Sequence, residues 1–266
     1  MAKISEQTRL EFADAIKPYQ SKITATLGKE KTVLNAIANA PDAAYKKLML
    51  CEDMIYVASL YMAQNSLSIK ILEVKNNDAL NDARKILYKA IIYLEELVTN
   101  IIDIPYADLA KNYEAIIKVD VNKRYYIVRK LGLAINLLEI AFGDNSKWKW
   151  SFVELKGRYV VVAKNLIDMR KAAKSYFNPN DPDYETTVLY LRLLGKLVEA
   201  SAASYRDKYE LSTRRIDDMR SGIKFLLARQ KLYLALNDAK NAEEVKKKAI
   251  VWKDKMDADQ KAGSSK

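Results

Sequence analysis

Two tryptophans flanked by lysines are the side chains of this sequence best suited to binding a partner. Trp148 and Trp150 alternate with Lys147 and Lys149 at the start of a predicted helix. Tryptophan is enriched at the energetic centres of interfaces, and lysines attract anionic groups. These four residues are predicted to bind a partner. The alternative is that both indoles pack within the protein.

Basic residues are concentrated in the last quarter of the chain. Residues 201–266 contain 16 Lys or Arg and 10 Asp or Glu, within a chain whose net charge is +11. Cations neutralise phosphates and neighbouring aromatic faces stack on bases, so this pattern is typical of RNA or DNA binding. The residues predicted to bind an anion or a nucleic acid are Arg206, Arg214, Arg215, Arg220, Lys246, Lys247 and Lys248. The alternative is a solvated helical surface.

The residue types that carry most catalytic and metal chemistry are missing or isolated. The chain has no histidine, and its one cysteine, Cys51, follows an apolar stretch typical of a core. Histidine-dependent nucleophilic catalysis and histidine-containing zinc sites are therefore excluded. The seven glycines form no phosphate-binding loop. We expect no catalytic residues, no metal and no cofactor, and we predict that the protein is not an enzyme. The sequence identifies no small-molecule substrate.

The elements that position these residues are predicted to be helices. Seven glycines and five prolines in 266 residues leave few turns, which favours long helices over strands. We predict an all-α fold of about 8–10 antiparallel helices, estimated from the spacing of helix start and stop signals. They form a bundle or an irregular array, and degenerate helical-hairpin repeats are a further alternative.

Several helix limits follow from capping and breaking residues. The first helix is predicted from Glu6 to about Leu27, kinked or split at Pro18 and ended by Gly28. The next long helix is predicted to begin at Pro41. The last is predicted to end near Met256. The clearest amphipathic pattern has spacings of three and four residues and comprises Val121, Tyr125, Val128, Leu131, Ile135, Leu138 and Phe142.

The segment 178–183, with two prolines, two asparagines and two aspartates, is the clearest predicted loop. We use it to divide the chain into an N-terminal helical domain or subdomain at 1–177 and a basic C-terminal helical subdomain at 184–258. Residues 259–266 are predicted to be a flexible tail.

These observations favour a non-catalytic helical scaffold or adaptor that binds a protein partner or its own copies. The alternative is an RNA-, DNA- or ribosome-associated protein that uses the basic C-terminal quarter. No apolar segment approaches the roughly 20 residues of a membrane span, and no secretory signal is evident. We therefore expect no transmembrane segment and a cytoplasmic location.

Overall fold

The computed structural model of the chain describes residues 5–37, 40 and 42–264, and within these it contains ten α-helices, one short π-helical segment and no strand. The all-α prediction is confirmed. The helices are α1 (Glu6–Ile37), α2 (Ala43–Leu72), α3 (Asn77–Val98), α4 (Tyr106–Ile116), α5 (Val121–Phe142), α6 (Lys149–Asn165), α7 (Met169–Tyr176), α8 (Tyr184–Lys208), α9 (Ile216–Ala235) and α10 (Ala239–Ser264), with the π segment at Tyr209–Thr213.

The chain forms two compact units. The first comprises the chain up to Leu97 together with Tyr126–Lys149, and the second comprises Val98–Tyr125 together with the chain from Trp150 onward. The predicted loop at 178–183 is confirmed as the non-helical segment between α7 and α8. Both of its flanking helices belong to the second unit, and a division into subdomains at this loop stays a prediction.

In the first unit, α1 is one uninterrupted helix, so the predicted break at Gly28 is wrong. Tertiary contacts hold the helix on both sides of that glycine. Ile23 packs on Val57 and Leu60 of α2, and the Lys29 ammonium donates to an Asp53 carboxylate oxygen at 3.1 Å. This packing outweighs the cost of about 1 kcal/mol that glycine adds inside a helix. Pro41, the other predicted boundary, lies outside the described residues.

The second unit contains an antiparallel series formed by α8, α9 and α10. Gly222 lets α9 approach both neighbours closely, because a Cβ there would lie 3.2 Å from the Ala202 carbonyl oxygen and 3.3 Å from the Trp252 ring. The last helix of this unit, α10, runs past the predicted end near Met256 to Ser264. Residues 259–264, which are predicted to be flexible, are therefore helical.

Candidate functional site

Trp148 lies in the first unit, in the loop after α5, and it packs against side chains of that unit. The Arg84 guanidinium lies over its ring, 3.9 Å from the centroid, and the Lys147 ammonium lies at 5.3 Å. The Phe142 ring meets the indole edge-on with centroids 6.5 Å apart. The indole is half-buried. Intramolecular cation–π and aromatic contacts therefore engage much of the surface that the sequence predicts for a partner.

The tryptophan segment, residues 147–150, runs from the loop into α6: Lys147 precedes the helix, and Lys149 and Trp150 are its first two residues. Lys149 and Lys147 are exposed, whereas Trp150 is half-buried and belongs to the second unit. The four residues are thus neighbours in sequence, and the two indoles are counted in different compact units. Partner binding by these residues stays a prediction.

The structure brings two of the predicted basic residues together on one aromatic ring. The Arg206 guanidinium lies 5.0 Å and the Lys248 ammonium 5.2 Å from the centroid of the buried Trp252 ring. Arg206 also donates to a carboxylate oxygen of Glu210 at 2.9 Å. Its charge is therefore partly neutralised within the unit.

The remaining basic residues do not form one patch. Arg214 and Arg215 are exposed at the end of the π segment, beside Tyr209, whose hydroxyl donates to Asp259 at 2.5 Å. Lys246, Lys247 and Lys248 are exposed near the start of α10. At a rise of 1.5 Å per residue, they are about 16–20 Å along the helix from Asp259.

Two of these basic residues also have local ion pairs. Arg220 pairs with Asp217 on α9, and the Lys246 ammonium lies 3.6 Å from a Glu243 carboxylate oxygen on α10. Such exposed pairs contribute little to stability, but they reduce the net charge that a phosphate would meet.

The sequence reasoning missed an exposed apolar surface on α5. The predicted core stripe of this helix is confirmed, since all seven of its residues are buried. On the opposite side, Leu133, Leu137 and Ile140 are 60%, 48% and 74% exposed, and Tyr126 is 52% exposed. We call these four residues the outer stripe of α5. Their positions, with Lys130, alternate spacings of four and three residues, which is the a/d pattern of a helix that packs against another helix.

Lys130 is the one charged member of that a/d series. Its ammonium lies 2.8 Å from a carboxylate oxygen of Glu52 on α2. An ion pair of this kind offsets the charge at the centre of an otherwise apolar surface. A helix that approached the outer stripe would meet a neutral pair rather than an isolated cation.

Two observations on the described residues bear on metal binding and on nucleophilic chemistry. No group of three His, Cys, Asp or Glu side chains that could hold a metal ion is found among them. Cys51 is buried as predicted. Burial is the larger cause that raises the pKa of its thiol above the ordinary value, and the nearby charge of Glu52 raises it further. A buried thiol with a raised pKa is a poor nucleophile. Nor does the described part of the chain include a helix with the length and apolarity needed to cross a bilayer.

The fold and these surfaces define an all-α protein built from packed antiparallel helices. A family model described as the TP0443 family matches residues 8–260, and the chain belongs to that family. The description names no activity, ligand or partner. No curated protein and no solved structure matches the chain.

Proposed function

We propose that this protein is a non-catalytic helical scaffold that assembles with a second copy of itself through the outer stripe of α5. The supporting observation is the exposure of Leu133, Leu137 and Ile140 at the spacing of a helix-packing seam. A stripe of this composition is self-complementary, because aliphatic side chains on two copies can interdigitate. A cytoplasmic location is part of the same proposal.

The exposed area sets the expected strength of this assembly. Together the three aliphatic residues leave the equivalent of nearly two whole side chains in water. Burying that area is worth about 3–5 kcal/mol per copy, at ~1.5–3 kcal/mol for each fully buried side chain. Association costs roughly 4–15 kcal/mol in lost freedom. Two copies together gain roughly 6–10 kcal/mol, which exceeds the smallest association cost by at most about 6 kcal/mol. The expected complex is therefore a weak, reversible dimer with a Kd of about 40 µM at the tightest.

Lys130 supports the same proposal through its charge. In a symmetric pair of α5 helices, two lysines in the seam would repel each other if they were unpaired. The Glu52 carboxylate, 2.8 Å from the Lys130 ammonium, reduces that repulsion. Replacing Glu52 with glutamine is expected to weaken assembly while removing only a partly exposed ion pair from each copy.

The test compares two exposed apolar residues of nearly equal exposure. Ile140→Asp places a charge in the outer stripe, and Leu211→Asp places one at a residue of the π segment that is 73% exposed. Light scattering after gel filtration at several loading concentrations gives the mass of each variant. We expect dimer formation by the wild type and Leu211→Asp, and its loss in Ile140→Asp. Equal masses for the two variants would contradict a role for the stripe.

Nucleic-acid binding is the second candidate, and the exposure of Arg214 and Arg215 favours it. Purification without nuclease followed by absorbance ratios at increasing salt tests it, because contacts with phosphates weaken steeply as salt rises. RNA or DNA that co-elutes at low salt and is released by the double change Arg214→Glu and Arg215→Glu would support this candidate. A preparation free of nucleic acid at low salt would contradict it.

A further inference from the structure

The second unit contains a cavity that no sequence pattern indicates. Its volume is about 270 Å³, and it lies among α4, α6, α7, α8 and α9. Most of its lining is apolar, and six of the lining residues are buried: Leu109, Tyr113, Leu194, Val198, Ala228 and Leu232. An apolar concavity with a few polar groups is the usual form of a small-molecule site.

The cavity lining also contains polar and charged side chains, and their pairing determines the net charge at the cavity. The Tyr113 hydroxyl donates to the Ile167 carbonyl oxygen at 2.5 Å, so this tyrosine already has a partner for its hydrogen. Two lysines also line the cavity, Lys164 on α6 and Lys231 on α9. Lys231 is paired with Asp103. The two lysines and this aspartate therefore leave one net positive charge at the cavity.

Lys164 is the cation with capacity to bind a ligand. Its ammonium donates to the Asn165 side-chain oxygen at 3.2 Å, and no described carboxylate forms an ion pair with it. An ammonium has three hydrogens to donate, so others remain for an acceptor. Burial is the main cause that lowers the pKa of Lys164 to about 8; the charge of Asp103 raises this pKa and the charge of Lys231 lowers it, each by less. Its surroundings therefore solvate the cation poorly, and an anion placed beside it would be strongly attracted.

We propose that this cavity binds a small monocarboxylate with an aliphatic tail, with the carboxylate on Lys164 and the tail against the leucines and Val198. The volume selects the length of the tail. At ~30 Å³ for each water-sized group, the cavity holds about nine non-hydrogen atoms. A chain of about eight carbons matches this volume, and a carboxylate complements the single net positive charge.

Octanoate is the probe for the binding experiment, which uses the full chain in isothermal titration calorimetry near neutral pH. We expect one molecule to bind with a Kd below about 1 mM. The alcohol 1-octanol has the same tail without the charge, and we expect it to bind at least ~10-fold more weakly. Absence of octanoate binding at about 5 mM, or equal binding of the two probes, would overturn the proposal.

Two variants and one control locate the site. Lys164→Met keeps an unbranched side chain of similar length but removes its charge. It is expected to weaken octanoate binding at least ~10-fold without affecting 1-octanol. Ala228→Phe is expected to weaken both probes by filling the cavity. Lys196→Met removes an exposed lysine from α8 and should change neither. Circular dichroism and thermal melting confirm that each variant is folded. Wild-type octanoate affinity in folded Lys164→Met would overturn the assignment.

The dependence on pH distinguishes ion pairing from a purely structural effect of Lys164. Asp103 and Lys231 are the charged groups that act on Lys164. The other titratable side chains of the lining are Tyr106 and Tyr113. Tyr106 in turn contacts Asp168 and Arg170. A bound carboxylate favours the charged amine, so binding should take up a proton above about pH 8 and weaken as pH rises further. Lys164→Met should lack this dependence, because it removes the amine whose pKa is lowered to about 8. An unchanged pH profile in that variant would contradict the ion pair.

Discussion

Replacing Gly157 with alanine tests how closely α6 approaches α8 in the second unit. An added Cβ at Gly157 would lie 2.6 Å from the Tyr205 hydroxyl oxygen and 2.7 Å from its Cε2 atom. Both distances are well below the 3.5–4.0 Å of a favourable carbon contact. The Tyr205 ring is stacked on Phe225 with centroids 5.6 Å apart, so it cannot withdraw without losing that contact.

The magnitude follows from two opposing effects. Overpacking of this kind costs about 1–3 kcal/mol. Alanine recovers about 1 kcal/mol of helix propensity relative to glycine. Gly28→Ala is the matched control, because Gly28 is also inside a helix and an added Cβ there meets nothing within 4 Å. We expect Gly157→Ala to have a free energy of unfolding about 1–3 kcal/mol lower than that of Gly28→Ala.

Urea denaturation followed by circular dichroism measures both variants against the wild type. A third variant, Gly157→Ala with Tyr205→Leu, should show favourable coupling between the two sites, because the smaller side chain makes room for the added methyl. If Gly157→Ala stabilised the protein as much as Gly28→Ala, the close packing of α6 on α8 would be refuted.

Three further predictions concern buried polar groups and the thiol. Lys208→Met removes the ammonium that lies 2.9 Å from the largely buried Asp218 carboxylate, so urea denaturation should show a loss of about 3–5 kcal/mol; a loss below about 1 kcal/mol would contradict this. The hydrogen bond from Tyr209 lowers the pKa of Asp259, while burial raises the pKa of Tyr209 to about 12. Because the folded state binds the tyrosine proton more tightly, the stability contributed by Tyr209 is full below pH 10 and is lost as pH rises through about 12. Tyr209→Phe should reduce this loss and should raise the pKa of Asp259 in an NMR titration. An unchanged pKa of Asp259 would contradict the hydrogen bond. Cys51 should react with a thiol reagent only as fast as the protein opens, because its side chain is fully buried; rapid labelling of the folded protein would contradict that burial.

Periodicity identified the core side of α5 from sequence but concealed its other side. The residues at three- and four-residue spacing are buried as predicted, whereas Leu133, Leu137 and Ile140 lie outside that spacing and are exposed. A helix that is apolar on two sides has a weak amphipathic signal. The dense apolar run from Leu131 to Phe142 was the available sign that this helix has more apolar surface than one core requires.

Local signals also failed where tertiary packing decides the backbone. Gly28 reads as a helix end, yet α1 continues through it because contacts with α2 hold both sides. No sequence pattern predicts the π segment at Tyr209–Thr213. It is stabilised by side-chain contacts such as the hydrogen bond between Thr213 and Asp218. The cavity beside Lys164 was equally invisible, because five helices distant in sequence supply its walls.

The compact units likewise follow contacts rather than composition. Residues 126–149 join the first unit although they lie far along the chain from α1–α3. No proline or glycine marks the change of unit at Tyr126, because α5 continues through it as one helix. Breaker residues mark loops, and they indicate unit boundaries only when the chain also leaves one core there.

Sedimentation equilibrium of the wild-type protein tests self-assembly through α5 most directly. The monomer mass is 30.4 kDa. Over roughly 5–500 µM the proposed dimer predicts a mass that rises toward twice this value. Because the contact is apolar, the rise should persist or strengthen in high salt, where contacts between charges weaken. A mass that stays at 30.4 kDa at every concentration, or an association that salt abolishes, would contradict the proposal.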